Sequence, residues 1–430
     1  MPKLPLRAEQ TDFRGWNAYE LANEFVRLVA VPDIGGRIMA YDLGPHPFFF
    51  VDPDLAGKLF TPAENQGDGS LAAWKNYGGD KTWPAPQGWQ SDAEWHGPPD
   101  PVLDTGRYHL DELRSDEREA TLCLVSPPDT RTGVQITRRF TVGRATSRVR
   151  VDLTFHNVVD RPIRWGIWDV VQLRAEQVQA DGSRAYDPSC AVTVPLNPHS
   201  CFPGGYAVMF GADDNPQWQV DGALLRAGYL WQIGKVGIDS PAGWIAFSQG
   251  SQGVAFVERF AVEADAEYPD NGATVECWTI GAGQVANLDY ANSGIYLMET
   301  EVLGPMRTIA PDGVTTFGIE WASCRCAGPV VDVQAGGCAV QRLSALRSDG
   351  IVHLVGSFGT FDAGELEVIW RDARGQSLTC ESMGRVDPFT AIVVDRLANA
   401  PATATAVELQ ITAADDGLAR RLAAVAIERA

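Results

Sequence analysis

No run of 18 apolar residues occurs in this 430-residue chain, so nothing in it has the length of a membrane-spanning helix. Basic residues are the scarcer charge: 35 Lys and Arg stand against 55 Asp and Glu, for a formal net charge of −20, with no basic cluster to offset it. A surface of that sign repels nucleic-acid backbones and anionic lipid, so neither nucleic acid nor membrane is an expected partner, and a neutral small molecule is. The six histidines are spread too widely to suggest a zinc site. The chain also lacks H-E-x-x-H, a P-loop, a Rossmann fingerprint and a G-x-S-x-G elbow. No cofactor and no metal are expected. The eight cysteines are scattered, and a chain of this length buries a core without disulfide staples. Cys324 and Cys326 form C-x-C, which is neither the redox nor the zinc spacing. Residues Met1 to Trp16 lack the apolar stretch of a signal peptide, so a cytoplasmic protein is expected.

What is present is period-2 alternation. Val149, Val151, Leu153 and Phe155 alternate with Arg150, Asp152, Thr154 and His156, as in a strand with one buried and one wet face. Leu366, Val368 and Trp370 alternate in the same way, as do Val407, Leu409 and Ile411. The 43 glycines and 27 prolines supply many turns. Helical periodicity is scarce; the segment from Leu418 to Ile427 reads either as a short helix or as a final strand. The pattern predicts an all-β protein of sandwich type. Cys326-Ala327-Gly328-Pro329 reads as a linker, which divides the chain into a large β-sandwich over residues 1–325 and a small Ig-like β-sandwich over 326–430.

Four segments are candidates for chemistry. The first, Trp74 to Gln87, packs aromatics, Gly78-Gly79, both charges and two prolines, a composition typical of loops that carry binding sites. It contributes Asn76, Tyr77, Asp80, Lys81, Trp83 and Gln87 as ligand-binding candidates, although Lys81 and Asp80 can equally pair with each other. Trp89 and His96 follow just downstream, His96 as a catalytic candidate beside Trp95. The second is Ile295 to Pro305. On a strand, Ile295, Leu297, Glu299 and Glu301 share one face, with Cα atoms of the two glutamates about 7 Å apart. Such crowding raises one carboxyl pKa, which suits a general acid or base; the alternative is a glutamate held by a cation such as Arg307. The third is Trp165 to Gln172, where Trp168 and Gln172 share one face and Asp169 takes the other, or where the tryptophans are simply core. The fourth, Tyr268 to Gly272, reads as a turn. Asp270 and Asn271 there are able to ligate a cation, but turn chemistry accounts for them.

These residues resemble the galactose-mutarotase-like superfamily, over about residues 15–325. Val31-Pro32-Asp33-Ile34-Gly35-Gly36-Arg37-Ile38 is similar to its opening strand and turn. Asn76-Tyr77-Gly78-Gly79 falls where mutarotases carry Leu-His-Gly-Gly, and Leu297-Met298-Glu299-Thr300-Glu301 where they carry Leu-Glu-x-Gln, followed by Ala310-Pro311-Asp312-Gly313. The resemblance implies a large β-sandwich that handles a carbohydrate. It places the general base on Glu299 and the neighbouring Gln position on Glu301. Both family histidines are replaced, by Tyr77 and by Trp168 with Asp169 beside it. The acid then has to come from His96, Lys81 or Asp169. Two functions follow as expectations: a carbohydrate-active enzyme of epimerase, lyase or glycosidase type using acid–base chemistry, or a non-catalytic carbohydrate-binding protein.

Overall fold

The computed structural model describes residues 6–66, 73–86, 100–285, 288–289 and 293–429. The chain is all-β, as the alternation predicts. Two large antiparallel sheets pack face to face. The first, twelve-stranded, runs in the order Arg7–Phe13, Trp16–Ala22, Val26–Val31, Arg37–Leu43, Asp80–Ala85, Ile163–Arg174, Leu297–Leu303, Val275–Thr279, Gly234–Ile238 and Ala207–Phe210, with two short strands off this path. The second, ten-stranded, has Val314–Arg325 at its centre, between Val254–Phe260 and Val149–Asn157. The core between the sheets is built from the apolar parity of each strand. Val171, Leu173, Met298 and Val302 come from the first sheet; Phe140, Val151, Phe155, Phe256 and Trp321 come from the second. Tyr41 crosses the layer and donates to the Ser147 carbonyl at 2.6 Å.

Smaller sheets of five and four strands follow, between Asp332 and Arg429. Their strands enclose a core of their own around Phe358, Trp370, Leu354, Leu409 and Ile411. The 418–427 segment, ambiguous from its pattern, is strand over Ala419–Ala426. His353 lies on a strand with its ring against Asp395 at 2.7 Å. The smaller sheets are joined to the large sandwich in two ways. A shared apolar layer holds Trp244, Ala246, Val257 and Cys324 against Val330, Val333, Cys338 and Phe361. Beside it, Asp362 accepts from Arg148 Nη2 at 2.8 Å and from Thr146 Oγ1 at 2.8 Å.

Candidate functional site

Strand parity decides which candidates meet. Trp168 lies opposite Leu303 and Trp83, Val170 opposite Glu301 and Lys81, and Gln172 opposite Glu299. On the next strands Glu276 lies opposite Glu301, Trp278 opposite Glu299, and Lys235 opposite Trp278. Since successive side chains alternate between faces, Lys81, Trp83, Trp168, Gln172, Lys235, Glu276, Trp278, Glu299 and Glu301 all project from the face of the twelve-stranded sheet that points away from the second sheet.

Within this row the contacts are specific. Glu299 Oε1 accepts from Gln172 Nε2 at 2.5 Å and lies 3.5 Å from Lys81 Nζ. Glu301 Oε2 accepts from Trp168 Nε1 and from Lys235 Nζ, both at 2.9 Å. Lys235 Nζ also reaches Glu276 Oε2 at 2.6 Å and lies 4.6 Å from the centre of the Trp168 ring. Lys81 Nζ lies 4.8 Å from the Trp83 ring, an arrangement in which the ring face attracts the cation. Access separates the two glutamates: the Glu299 side chain is 13% exposed, whereas those of Glu301 and Glu276 are 0% exposed. Glu299 is therefore the carboxylate of this group that a ligand can touch.

Burial also sets the charges. It pulls the Lys81 ammonium below the usual lysine range, and the Glu299 carboxylate opposes this. Burial pushes Glu301 up to about 8 and Glu276 up to about 7, in each case against the attraction of Lys235. Lys235 itself is held above the usual lysine range: its two carboxylate neighbours outweigh burial. One cation thus serves two carboxyls, and the trio approaches neutrality when one carboxyl keeps its proton.

The aromatic side of the site is held from outside the sheet. Asp104 Oδ1 accepts from Trp83 Nε1 at 3.1 Å and from Arg37 Nη2 at 2.6 Å, and Oδ2 accepts from Trp74 Nε1 at 2.9 Å. Asp104 sits on the short helix Pro101–Thr105, whose start is capped by Asp100 accepting from Val102 N at 2.8 Å. That helix is seated on Gly35, which has φ +81; a Cβ there would meet the Asp104 carbonyl oxygen at 1.9 Å.

Other candidates lie elsewhere. Asp169 and Asp80 project from the opposite face into the layer between the sheets, both fully buried. Asp80 pairs with Arg138, and Asp169 accepts from Thr82 Oγ1 at 2.9 Å. Burial, reinforced by Asp80, raises the Asp169 carboxyl well above its usual range. The sheet separates Asp169 from Glu299, because neighbours on a strand face opposite ways. Tyr77 is buried against Trp16 and Phe60 in a satellite core. Asn76 Oδ1 accepts from Gly78 N at 3.3 Å within the turn. The Arg307 guanidinium turns to Glu263, at 2.5 Å, instead of to either glutamate. Asp270 and Asn271 both adopt positive φ, as the turn reading requires. Gln87, Trp89 and His96 lie outside the described residues.

Lys235, Asp104 and Arg37 were not among the site candidates. Lys235 had a legible signal: the chain has five lysines (Lys3, Lys58, Lys75, Lys81 and Lys235), and Lys235 stands in the apolar run Ile233 to Ile238. A lysine in a buried strand demands a carboxylate partner. Asp104 had none, since its role depends on a helix brought in from another part of the chain.

Residues 17–323 match a protein family described as Domain of unknown function (DUF4380). No curated protein matches the chain. Among solved structures, the chain is similar to a galactose mutarotase-like protein from Clostridium acetobutylicum, at 9% identity, TM-score 0.46, with 75% of this chain and 99% of that one covered. It is similar to a galactose mutarotase-like protein from Lactobacillus casei at 11% identity, TM-score 0.45, with 71% and 99% covered. It is also similar to a TPR-domain containing protein from Parabacteroides distasonis at 12% identity, TM-score 0.46, with 73% of this chain but only 48% of that one covered.

Proposed function

The chain belongs to the DUF4380 family, and we propose that it binds a neutral carbohydrate on the outer face of the twelve-stranded sheet and acts on it by acid–base chemistry. The observation that carries this reading is the Lys81–Glu299 pair at 3.5 Å, flanked by the buried rings of Trp83, Trp168 and Trp278. A carboxylate and an ammonium of depressed pKa, side by side and little hydrated, are the two partners that proton removal and proton return require. The buried rings wall the pair off from bulk water, and Gln172 fixes the Glu299 carboxylate. Glu299 takes a proton from a sugar hydroxyl or ring carbon, and Lys81 supplies one to the oxygen that gains charge. Glu301, Glu276 and Lys235 form a buried ion-paired group beside the pair on the same face. Residues 326–430 take no part in the reaction.

A second reading, a non-catalytic sugar-binding protein, is favoured by the fact that Glu299 Oε1 is already engaged by both Gln172 and Lys81. A thermal-shift screen against neutral monosaccharides and disaccharides, followed by product analysis by NMR on each hit, separates the two. Binding with turnover supports the enzyme, and binding without turnover supports the binder. If no sugar shifts the melting point and Glu299→Gln changes nothing on any substrate, the carbohydrate reading falls.

A further inference from the structure

Three of the six buried cysteines converge far from the sheet face described above. Cys324 lies on the Val314–Arg325 strand and Cys326 directly after it; Cys338 lies on the Gly337–Ser348 strand. At a strand end residues i and i+2 face the same way, which brings Cys324 and Cys326 to one side. The third sulfur comes from the hairpin in which Val333 lies opposite Cys338. All three Sγ atoms lie within 4.8 Å of one another, with Cys324 and Cys338 at 3.4 Å. The three residues are at most 1% exposed, in an apolar shell of Trp244, Ala246, Val257, Val333 and Phe361. Gly359 closes the site, since a Cβ there would sit 2.4 Å from Cys324 Sγ.

We propose that Cys324, Cys326 and Cys338 form a three-thiolate binding site for one monovalent copper ion at the junction of the large sandwich and the smaller sheets. Three sulfurs around one ion at a metal–sulfur distance of about 2.3 Å in a plane lie about 4 Å from one another, which falls within the 4.8 Å that bounds the three Sγ atoms here, the Cys324–Cys338 pair at 3.4 Å being somewhat closer. Among the described residues no fourth His, Cys, Asp or Glu atom joins the group. Structural zinc takes four ligands, whereas a soft monovalent d10 ion prefers thiolates and accepts three. The side chains of Trp244, Ala246, Val257, Val333 and Phe361 that surround the sulfurs carry no oxygen donor of the kind harder ions need.

The test uses the full chain with Cys201→Ser and Cys380→Ser, which removes the two exposed thiols. Reduced, anaerobic protein competes for Cu(I) against a coloured chelator. One equivalent per chain is expected, with an ultraviolet sulfur-to-copper charge-transfer band. Cys326→Ala should weaken binding by more than the roughly 10–100-fold typical of losing an outer-shell partner. Copper-edge X-ray absorption on the unmutated site needs no core substitution and should report three sulfur neighbours at about 2.3 Å. The proposal is overturned by no uptake, by uptake that Cys326→Ala leaves unchanged, or by nitrogen or oxygen neighbours at the metal. It is also overturned if zinc outcompetes copper, or if two thiols are lost as a Cys324–Cys338 disulfide without metal.

Discussion

Glu299 and Glu301 are two residues apart on one strand face, and their surroundings give them different work. Glu299 is touched by Lys81 and Gln172 and reaches solvent; Glu301 is fully buried and accepts from Trp168 and Lys235. On any confirmed substrate, Glu299→Gln should lower turnover by about 10²–10⁴-fold with little change in affinity, the usual worth of a general base. Rate and binding measured on the same preparation check this, and an intact rate would remove Glu299 from the role. Lys235→Met leaves two buried carboxyls without their cation and should cost about 3–5 kcal/mol, as breaking a buried pair does, read from denaturant unfolding at pH 8. The raised carboxyl of Glu301 also sets a pH dependence. Its folded value, about 8, lies above the ordinary 4.5. Between those values the folded state holds a proton that the unfolded state has released, so this group makes stability fall as pH rises through that window. Glu301→Gln should lessen the wild-type slope between pH 5 and pH 8, the raised carboxyl of Glu276 supplying part of what remains; a slope unchanged by the substitution would show that Glu301 ionises normally.

Among the elements, the helix Pro101–Thr105 is short, yet its Asp104 binds two indoles and a guanidinium. Its position rests on Gly35, where positive φ and the close Asp104 carbonyl leave no room for a side chain. Gly35→Ala should therefore lift the helix away and release Trp74 and Trp83. The strained backbone alone costs about 1–3 kcal/mol. A loss of near-ultraviolet circular dichroism from the tryptophans, together with weakened ligand binding, is the expected readout. If the tryptophan signal stays intact in a folded Gly35→Ala protein, the helix is not seated as described.

Across the whole molecule, two cores are linked by an apolar layer and by the Asp362 cluster, in which Arg148 bridges Asp362 and Glu320. Asp362→Ala strands the mostly buried Arg148 guanidinium without one of its two carboxylates. Such a loss of one partner destabilises by about 3–5 kcal/mol at full burial and by less where, as here, some of the group is wet. The expected outcome is a lower melting temperature with the binding of any confirmed ligand retained, because the cluster lies at the junction with the smaller sheets and not on the Glu299 face. Loss of binding in a folded Asp362→Ala protein would tie residues 326–430 to the site after all.

Local pattern settled what depends on neighbours along the chain. The alternation at Val149–Phe155, at Leu366–Trp370 and at Val407–Ile411 specified strands, because a half-buried pleat imposes period 2 on whatever it buries. The same parity put Glu299 and Glu301 together, and set Trp168 and Gln172 apart from Asp169. What it left open was which face meets the second sheet. That is decided by where Trp321, Phe140 and Arg138 arrive from elsewhere in the chain, and it sent Asp169 and Asp80 inward and Lys81 and Glu299 outward. Lys235 and Asp104 reached the site in the same way, through pairing and packing between strands and a helix far apart in sequence. Which charges share a face across several strands depends on register between those strands, and register is set by the packed core, not by any one segment.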